Sequence, residues 1–312
     1  MKKRYQNLDN VNSRHFNPFK LIHYFYNRNK NKDLKSRIAI HDKRKQVLPF
    51  CSKEISYTWI GHSTFLIHIQ DVTILTDPLF SRRMGVEKRL VPLGIEVNDL
   101  PEIDLVLISH AHYDHLDFPS LRKIKGQPHF FVPEGVKHLL TRRGYQNVVE
   151  VNWWEHLSFK TIDLDFVPSQ HWSRRGPFDK NKAHWGGWII ANSTKTLYFV
   201  GDTAYFRGFK EIGQKYNIDT VLMPIGDYEP DWLSGLAHIN PEKAVQAFLD
   251  LQASCFVPMH YGTYRLSMDT GPEALQRLQK EWRKQRLPQE KLNILKIGET
   301  SSTNRQEENS GD

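Results

Sequence analysis

The chain has few cysteines, no long apolar run and no glycine-rich nucleotide loop. Its two cysteines, Cys51 and Cys255, exclude a disulfide scaffold and favour a reducing compartment such as the cytoplasm. No apolar stretch approaches the roughly 18–20 residues that span a bilayer. Polar residues follow the basic N-terminus, where a secretory signal has its apolar segment, so we expect no such signal.

Positive charge is concentrated at one end of the chain. Residues 1–53 contain fourteen Lys and Arg against three Asp, a formal charge of +11, whereas the whole chain carries +8. The other residues therefore carry −3, so the basicity belongs to an N-terminal extension. Within this extension, Asn17 and Pro18 resemble a helix cap and first turn, and the stretch from Phe19 to Tyr26 predicts a short aromatic helix.

The extension has three interpretations. Its aromatic side chains could pack on the body of the protein and leave the charges in water. Alternatively, residues 14–28 could make peripheral contact with an anionic membrane, which would place a cytoplasmic protein at the inner membrane surface. Nucleic-acid binding is the least favoured interpretation, and we expect no nucleic-acid partner.

The sequence pattern changes at Ile55 from a basic segment without strand signals to one rich in predicted strands. Short β-rich runs separated by turn residues predict an antiparallel meander over residues 57–76, and further strands alternate with helical patterns to the end of the chain. No repeat or linker divides residues 54–299, which predicts one mixed α/β domain. Residues 300–312 are polar, and we expect a disordered tail there.

Three imidazoles and one carboxylate lie within six positions, from His110 to His115. This run directly follows the apolar residues 103–108, which are typical of a buried strand. Nitrogen and oxygen ligands this close together suit borderline metals such as zinc. The run therefore predicts a metal site where a rigid strand gives way to a loop.

Three more apolar strands end in residues that can bind a metal. His171, Asp202 and His260 each follow such a run, as His110 does. With the first cluster, they give seven candidate ligands, too many for one tetrahedral ion and suited to two ions that share a carboxylate. The seven are His110, His112, Asp114, His115, His171, Asp202 and His260.

The order HxHxDH, His, Asp, His resembles the metallo-β-lactamase superfamily. The resemblance implies a four-layer αββα sandwich with two Zn²⁺ ions at one edge of the paired sheets, although other divalent transition metals remain an alternative. It also implies one zinc held by His110, His112 and His171. The second zinc would be held by Asp114, His115 and His260, with Asp202 bridging.

Further segments resemble the N-acyl-phosphatidylethanolamine-hydrolysing phospholipase D group, over nearly all of residues 55–298. The resemblance implies a phospholipid or other phosphodiester substrate and a homodimer. The chain differs from this group at two positions: Asp227, where relatives have a small residue, and Asp231, where they have a basic one. The segments are Trp59–Thr64, Leu75–Pro78, His184–Trp188, Pro224–Gly226, Tyr228–Trp232 and Ala237–Glu242.

Several residues are candidates for roles beside the metals. Asp114 is the best carboxylate to orient a water, Asp202 to hold the metal pair, and His238 is implied by the resemblance to lie near the scissile phosphate. Asp77 could orient a ligand imidazole or cap a turn before a proline. Three further candidates could lie beside the metals or substrate, or serve only in the turn or the core: His62, Trp185 and Tyr228.

These features predict a zinc-dependent phosphodiesterase of phospholipase D type. A lactonase acting on a sugar-phosphate or acyl-homoserine lactone is the nearest alternative, because an activated water attacks a carbonyl equally well. A nuclease is less favoured because no long basic module follows the ligands. A di-iron oxygen-reducing protein is less favoured because such relatives have glutamate at position 112. A lipid-binding protein without catalysis is the alternative from another class.

Overall fold

The computed structural model describes residues 4–9, 18–27, 30, 32–41 and 54–303. No helix in these ranges is both long and apolar enough to cross a bilayer. The strands are β1 (Ile55–Gly61), β2 (Thr64–Ile69), β3 (Val72–Thr76), β4 (Arg83–Met84), β5 (Glu87–Lys88), β6 (Leu105–Leu107), β7 (His129–Pro133), β8 (Val148–Val151), β9 (His156–Phe159), β10 (Ile162–Val167), β11 (Gly187–Ala191), β12 (Thr196–Phe199), β13 (Thr220–Pro224), β14 (Cys255–Met259) and β15 (Thr300–Ser302).

The first helix precedes the strands, and the other helices lie between them. Asn240 caps the helix that begins at Pro241, because its side chain accepts a hydrogen bond from the amide of Lys243 at 2.9 Å. The helices are α1 (Pro18–Asn27), α2 (Phe118–Leu121), α3 (Lys137–Thr141), α4 (Gly208–Lys215), α5 (Asp231–Ser234), α6 (Pro241–Leu251) and α7 (Gly271–Lys284).

Two large sheets form the centre of the fold. The first has the order β15-β1-β2-β3-β6-β7-β8 and the second the order β14-β13-β12-β11-β10-β9. The predicted meander is confirmed, since β1, β2 and β3 pair antiparallel. Strands β3, β6, β7 and β8 pair in parallel, as do β12, β13 and β14.

Both faces of the first sheet are buried. Side chains alternate along a strand, so Phe65 and Ile67 enter the core shared with the second sheet, whereas Leu66 enters a separate core with α2 and α3. Helices α4, α6 and α7 contribute apolar side chains to the core on the second sheet. The predicted αββα sandwich is therefore confirmed.

The predicted disordered tail is wrong at its start. Residues 300–302 form β15, which pairs antiparallel with β1, and the hydroxyls of Thr58 and Thr300 lie 2.7 Å apart. The polar composition gives no sign of this strand, because β15 pairs with the open edge of β1 through backbone hydrogen bonds and not through apolar side chains. Residues 304–312 lie outside the described residues.

The described parts of the N-terminal extension contact the body. Tyr5 and Ile38 are buried, and Ile40 forms a parallel bridge with Ile297. The predicted aromatic helix is confirmed as α1, whereas its predicted cap, Asn17, lies outside the described residues. The extension is therefore partly integrated into the domain.

Candidate metal centre

The candidate ligands meet at one edge of the two sheets. His110 and its neighbours follow β6, His171 follows β10, Asp202 follows β12 and His260 follows β14. Strands of both sheets thus end at the same edge, which is where ligands in α/β folds usually bind. The rings of His115 and His260, from two different sheets, are stacked with their centroids 5.3 Å apart.

The first group consists of His110, His112 and His171. The Nδ1 atom of His112 lies 2.9 Å from Nε2 of His110 and 3.2 Å from Nε2 of His171. All three side chains offer a nitrogen to a common point, with the ligand atoms within 4.8 Å of one another. These are the three residues predicted to share one metal ion.

The second group consists of Asp114, His115, His260 and His62, again with ligand atoms within 4.8 Å. An oxygen of Asp114 lies 3.4 Å from Nε2 of His115 and 3.7 Å from Nε2 of His260. His62 joins the group because its Nε2 lies 3.2 Å from the same oxygen. The group thus contains the three predicted residues and one predicted neighbour.

Asp202 lies between the two groups. Its Oδ1 is 3.1 Å from Nε2 of His260, and its Oδ2 is 3.2 Å from Nε2 of His115. Oδ2 also lies 3.9 Å from Nε2 of both His110 and His171. One buried carboxylate therefore faces members of both groups, the placement that a bridging ligand requires.

Partners behind the imidazoles set their orientation. Asp77 accepts the amide of Ser109 at 2.7 Å and faces Nδ1 of His115 at 2.7 Å. The Nδ1 atom of His171 faces the carbonyl oxygen of Ala237 at 2.8 Å. Such contacts hold a proton on Nδ1 and make Nε2 the nitrogen that is directed at the site and available to a metal ion.

Burial and charge divide the imidazoles into two kinds. Burial, with neighbouring imidazoles, holds the pKa of His110 and His171 well below the usual value. Burial also lowers the pKa of His115 and His260, but Asp202 and Asp114 outweigh it and raise that of His260 to about 10. The first group is therefore a set of neutral nitrogens, and the second is tied to carboxylates.

The unpaired polar atoms of the site fit a metal ion. Among the described residues, five buried atoms of predicted ligands have no hydrogen-bond partner. Buried polar atoms without a partner are rare in native proteins unless a bound ion or water molecule pairs with them. Imidazole nitrogens with carboxylate oxygens are the ligands that borderline divalent metals bind. Three of the five face the site, namely His115 Nε2, His260 Nε2 and Asp202 Oδ1; the other two are the second ring nitrogens of His112 (Nε2) and His260 (Nδ1).

The backbone at the site is held in uncommon conformations. Four non-glycine residues there have positive φ: His62 (55°), Asp77 (34°), Asp227 (61°) and His260 (58°). Left-handed backbone costs a non-glycine residue about 1–3 kcal/mol and concentrates at functional sites. The surrounding contacts, such as the amide of His62 on the hydroxyl of Thr263 at 2.7 Å, hold these residues in place.

Sequence reasoning missed two residues beside the candidates. The carboxylate of Asp227 lies 3.4 Å from Nε2 of His238, whose Nδ1 is 3.8 Å from Asp202. The guanidinium of Arg175 donates to the carbonyls of Ala111 and Leu116 at 2.9 and 2.8 Å and so holds the loop that carries the ligands. The departure from the family at Asp227 was visible, but its contact with His238 was not.

Two predicted neighbours lie outside the ligand groups. Trp185 is fully buried, and its indole nitrogen donates to Asn7 at 2.9 Å and to the carbonyl of Ser169 at 3.1 Å. Tyr228 is buried with the guanidinium of Arg277 over its ring at 4.5 Å. Their predicted place beside the substrate stays a prediction.

Comparison with known proteins decides the family. The family model of the β-lactamase superfamily domain matches residues 72–261. The chain belongs to this superfamily. Its two paired sheets and flanking helices are those of the metallo-β-lactamase fold.

Individual relatives agree with this assignment. The chain is 36% identical to an N-acyl-phosphatidylethanolamine-hydrolyzing phospholipase D of Caenorhabditis elegans, over 66% of this chain and 64% of that protein. It is 28% identical to a metal-dependent hydrolase of Methanopyrus kandleri, over 70% of this chain and 89% of that protein. A metallo hydrolase from Ignicoccus hospitalis has the same fold, with a TM-score of 0.60 at 24% identity, over 81% of this chain and 100% of that one.

The match to the phospholipase is partial in length. The aligned region spans 64% of the C. elegans protein, less than two thirds of it. The comparison therefore assigns the superfamily, and the activity and substrate are proposals.

Proposed function

We propose that this protein is a dinuclear zinc phosphodiesterase of phospholipase D type that cleaves an N-acyl-phosphatidylethanolamine-like lipid. The observation that carries the proposal is the position of Asp202 between two groups of metal-competent side chains. Paired metal ions suit phosphodiester hydrolysis because they stabilise both the attacking and the leaving oxygen. The similarity to the C. elegans phospholipase supports the lipid substrate.

When bound, zinc supplies Lewis acidity, which lowers the pKa of water to about 7 and neutralises charge on a phosphodiester. His110, His112 and His171 would hold one ion, and Asp114, His115 and His260 the other, with Asp202 shared. Asp114 is the carboxylate best placed to orient a water, since its side chain is partly open to solvent at 15% exposure. Hydrolysis adds hydroxyl to phosphorus and a proton to the departing oxygen, which yields phosphatidic acid and an N-acylethanolamine-like alcohol.

His238 is the residue we assign to the departing side. Burial lowers the pKa of His238 to about 4, so the imidazole is neutral at pH 7 and carries one N–H. Asp202 faces one ring nitrogen and Asp227 the other. These two contacts fix the orientation of the ring, and we assign the imidazole to the side of the site where the phosphoryl and leaving-group oxygens would lie.

The N-terminal helix supports a lipid partner. Three apolar side chains of α1 are exposed to solvent: Phe19 by 80%, Ile22 by 68% and Tyr26 by 78%. Their spacing of three and four places them on one face of the helix. An exposed apolar face within a basic segment is typical of contact with an anionic membrane surface.

The substrate proposal is tested with the full chain loaded with zinc. We expect close to two zinc ions per chain and hydrolysis of N-acyl-phosphatidylethanolamine, with loss of metal and activity in Asp202→Asn. Asp219→Asn is the matched control. Asp219 pairs with Lys195 and lies just before the first residue of β13, at the end of the strand that is away from the metal centre. Zinc-dependent cleavage of lactones with no cleavage of phosphodiesters would replace the proposal by the lactonase alternative.

The membrane contact has its own test. Ile22→Ser with Tyr26→Ser should weaken binding to phosphatidylglycerol vesicles by about tenfold or more, since burying each apolar side chain is worth about 1.5–3 kcal/mol. Val86→Ser is the matched control, because Val86 is 84% exposed on the hairpin of β4 and β5. Equal binding of the double variant and the wild type would contradict the contact.

A further inference from the structure

Residues 4–9 form a strap across the loop that carries His171. The amide of Tyr5 donates to the carbonyl of Asn181 at 2.8 Å, and the ring of Tyr5 stacks on the ring of His184 at 4.2 Å. At the other end, Asp9 pairs with Arg207 at 3.0 Å. The strap is therefore fixed at both ends to the body of the domain.

Asn7 lies at the middle of the strap and uses both ends of its amide. Its Nδ2 donates to the carbonyl of His171 at 3.0 Å, and its Oδ1 accepts the amide of His171 at 3.1 Å. The same Oδ1 accepts the indole N–H of Trp185 at 2.9 Å. One side chain thus binds both backbone groups of a candidate ligand, in the manner of a paired strand.

With these bonds, both the ring and the backbone of His171 are held by hydrogen bonds. The carbonyl of Ala237 orients the ring through Nδ1, and Asn7 fixes the backbone from which the ring projects. The preceding residue is held separately, because the backbone amide of Gln170 donates to the hydroxyl of Thr203 at 2.9 Å and its backbone carbonyl accepts the amide of Ala204 at 2.8 Å. Asn7 bonds the two backbone groups of His171 itself. A ligand held by fewer contacts can move by the fraction of an ångström that weakens a metal site.

We propose that Asn7 is a positioning residue for the metal group of His110, His112 and His171. The inference rests on the ligand role of His171 in the proposed function, and it makes the N-terminal strap part of the metal site. The Asn7 amide acts through the backbone of His171 and touches neither metal nor substrate.

The experiment measures metal binding without any substrate. Full-length wild type, Asn7→Ala and Asn7→Asp are titrated with zinc against a chromophoric chelator, and the cobalt-substituted proteins are compared by visible absorption. We expect Asn7→Ala to bind one of the two ions about 10–100-fold more weakly, the range found when a supporting partner of a ligand is removed. Its cobalt bands should also change, which loss of stability alone does not produce.

Asn7→Asp gives a graded result. A carboxylate still accepts from His171 and Trp185 but cannot donate to the carbonyl of His171, so we expect an affinity between those of wild type and Asn7→Ala. This variant also decides the question if Asn7→Ala does not fold. Asp9→Asn is the matched control, because it weakens the strap at Arg207 without touching His171 and should keep the wild-type affinity.

Two outcomes overturn the inference. Wild-type affinity and cobalt spectra in both Asn7 variants would do so, as would an equal loss in Asp9→Asn, which would show that any damage to the strap suffices. His171→Ala separates this from the proposed function. If it retains both ions, the ligand assignment itself fails, whereas loss of one ion with unaffected Asn7 variants removes only the role of Asn7.

Discussion

The Asp77→Asn substitution tests how the protein prepares His115 for metal binding. In the wild type, the Oδ2 atom of Asp77 lies 2.7 Å from Nδ1 of His115 and accepts the hydroxyl of Ser109 at 2.5 Å, while Oδ1 accepts the Ser109 amide. The replacement keeps the shape of the side chain and puts an NH₂ group in place of one oxygen. If the remaining oxygen stays on the Ser109 amide, the new NH₂ faces a ring N–H.

The imidazole of His115 can then adopt either of two unfavourable protonation states. It can keep its Nδ1 proton against another donor, which leaves buried groups unsatisfied at a cost of about 1–3 kcal/mol. Otherwise it moves the proton to Nε2, the nitrogen that faces Asp202 and Asp114, and loses its lone pair for metal. Either route should reduce affinity for one ion about 10–100-fold, or about 1.4–2.7 kcal/mol.

Chelator competition measures the affinity, and thermal unfolding of the metal-free protein measures the stability. A cost of about 1–3 kcal/mol lowers the melting temperature by about 2–12 °C in a domain of this size class. Asp219→Asn is again the control, since it removes the same charge far from the ligands. Wild-type zinc affinity in a folded Asp77→Asn protein would refute the orienting role of Asp77 or the ligand role of His115.

Three further predictions concern stability. Removal of zinc by a chelator should lower the melting temperature, because zinc at about 100 times its dissociation constant stabilises the folded state by about 2.7 kcal/mol; an unchanged melting curve would contradict tight binding in the fold. Burial raises the pKa of Glu242, but its bidentate contact with Arg277 outweighs this and lowers it. The pair therefore stabilises the fold above about pH 4.5 and loses this effect as the pH falls, so the stability difference between wild type and Glu242→Gln should shrink in acid. Gly262→Ala should destabilise, because φ is +68° and the new Cβ would lie 2.6 Å from a methyl group of Ile38; calorimetry of the variant checks this.

The ligand positions could be predicted from the sequence because each follows the end of a buried strand. His110, His171, Asp202 and His260 occupy equivalent places after apolar runs, and strand ends converge at one edge of a two-sheet fold. The grouping into two sets came from the resemblance, and the contacts of the His112 ring agree with it.

Other features could not be predicted because their signal is not local. Asn7 bonds a residue 164 positions away, and nothing in its own neighbourhood distinguishes it from the other asparagines of the extension. The edge strand β15 is equally hidden, because serine and threonine do not show strand patterning when only the backbone pairs. Hydrogen bonds made by one side chain to distant backbone groups leave no periodicity to detect.

The charge balance of the site argues for the substrate class. Two divalent ions would bring four positive charges to the groups around Asp202, and Asp114 and Asp202 would neutralise two of them. A phosphodiester carries one negative charge and an attacking hydroxide another, so together they balance the remainder in a region buried from water. A neutral lactone would leave one of these charges unbalanced, which is costly where the local dielectric is low. On this reasoning, the proposed pair of ions fits an anionic substrate. Burial and the neighbouring Asp269 raise the pKa of Asp227 well above its usual value, so this carboxyl beside His238 does not add a further negative charge that would repel such a substrate.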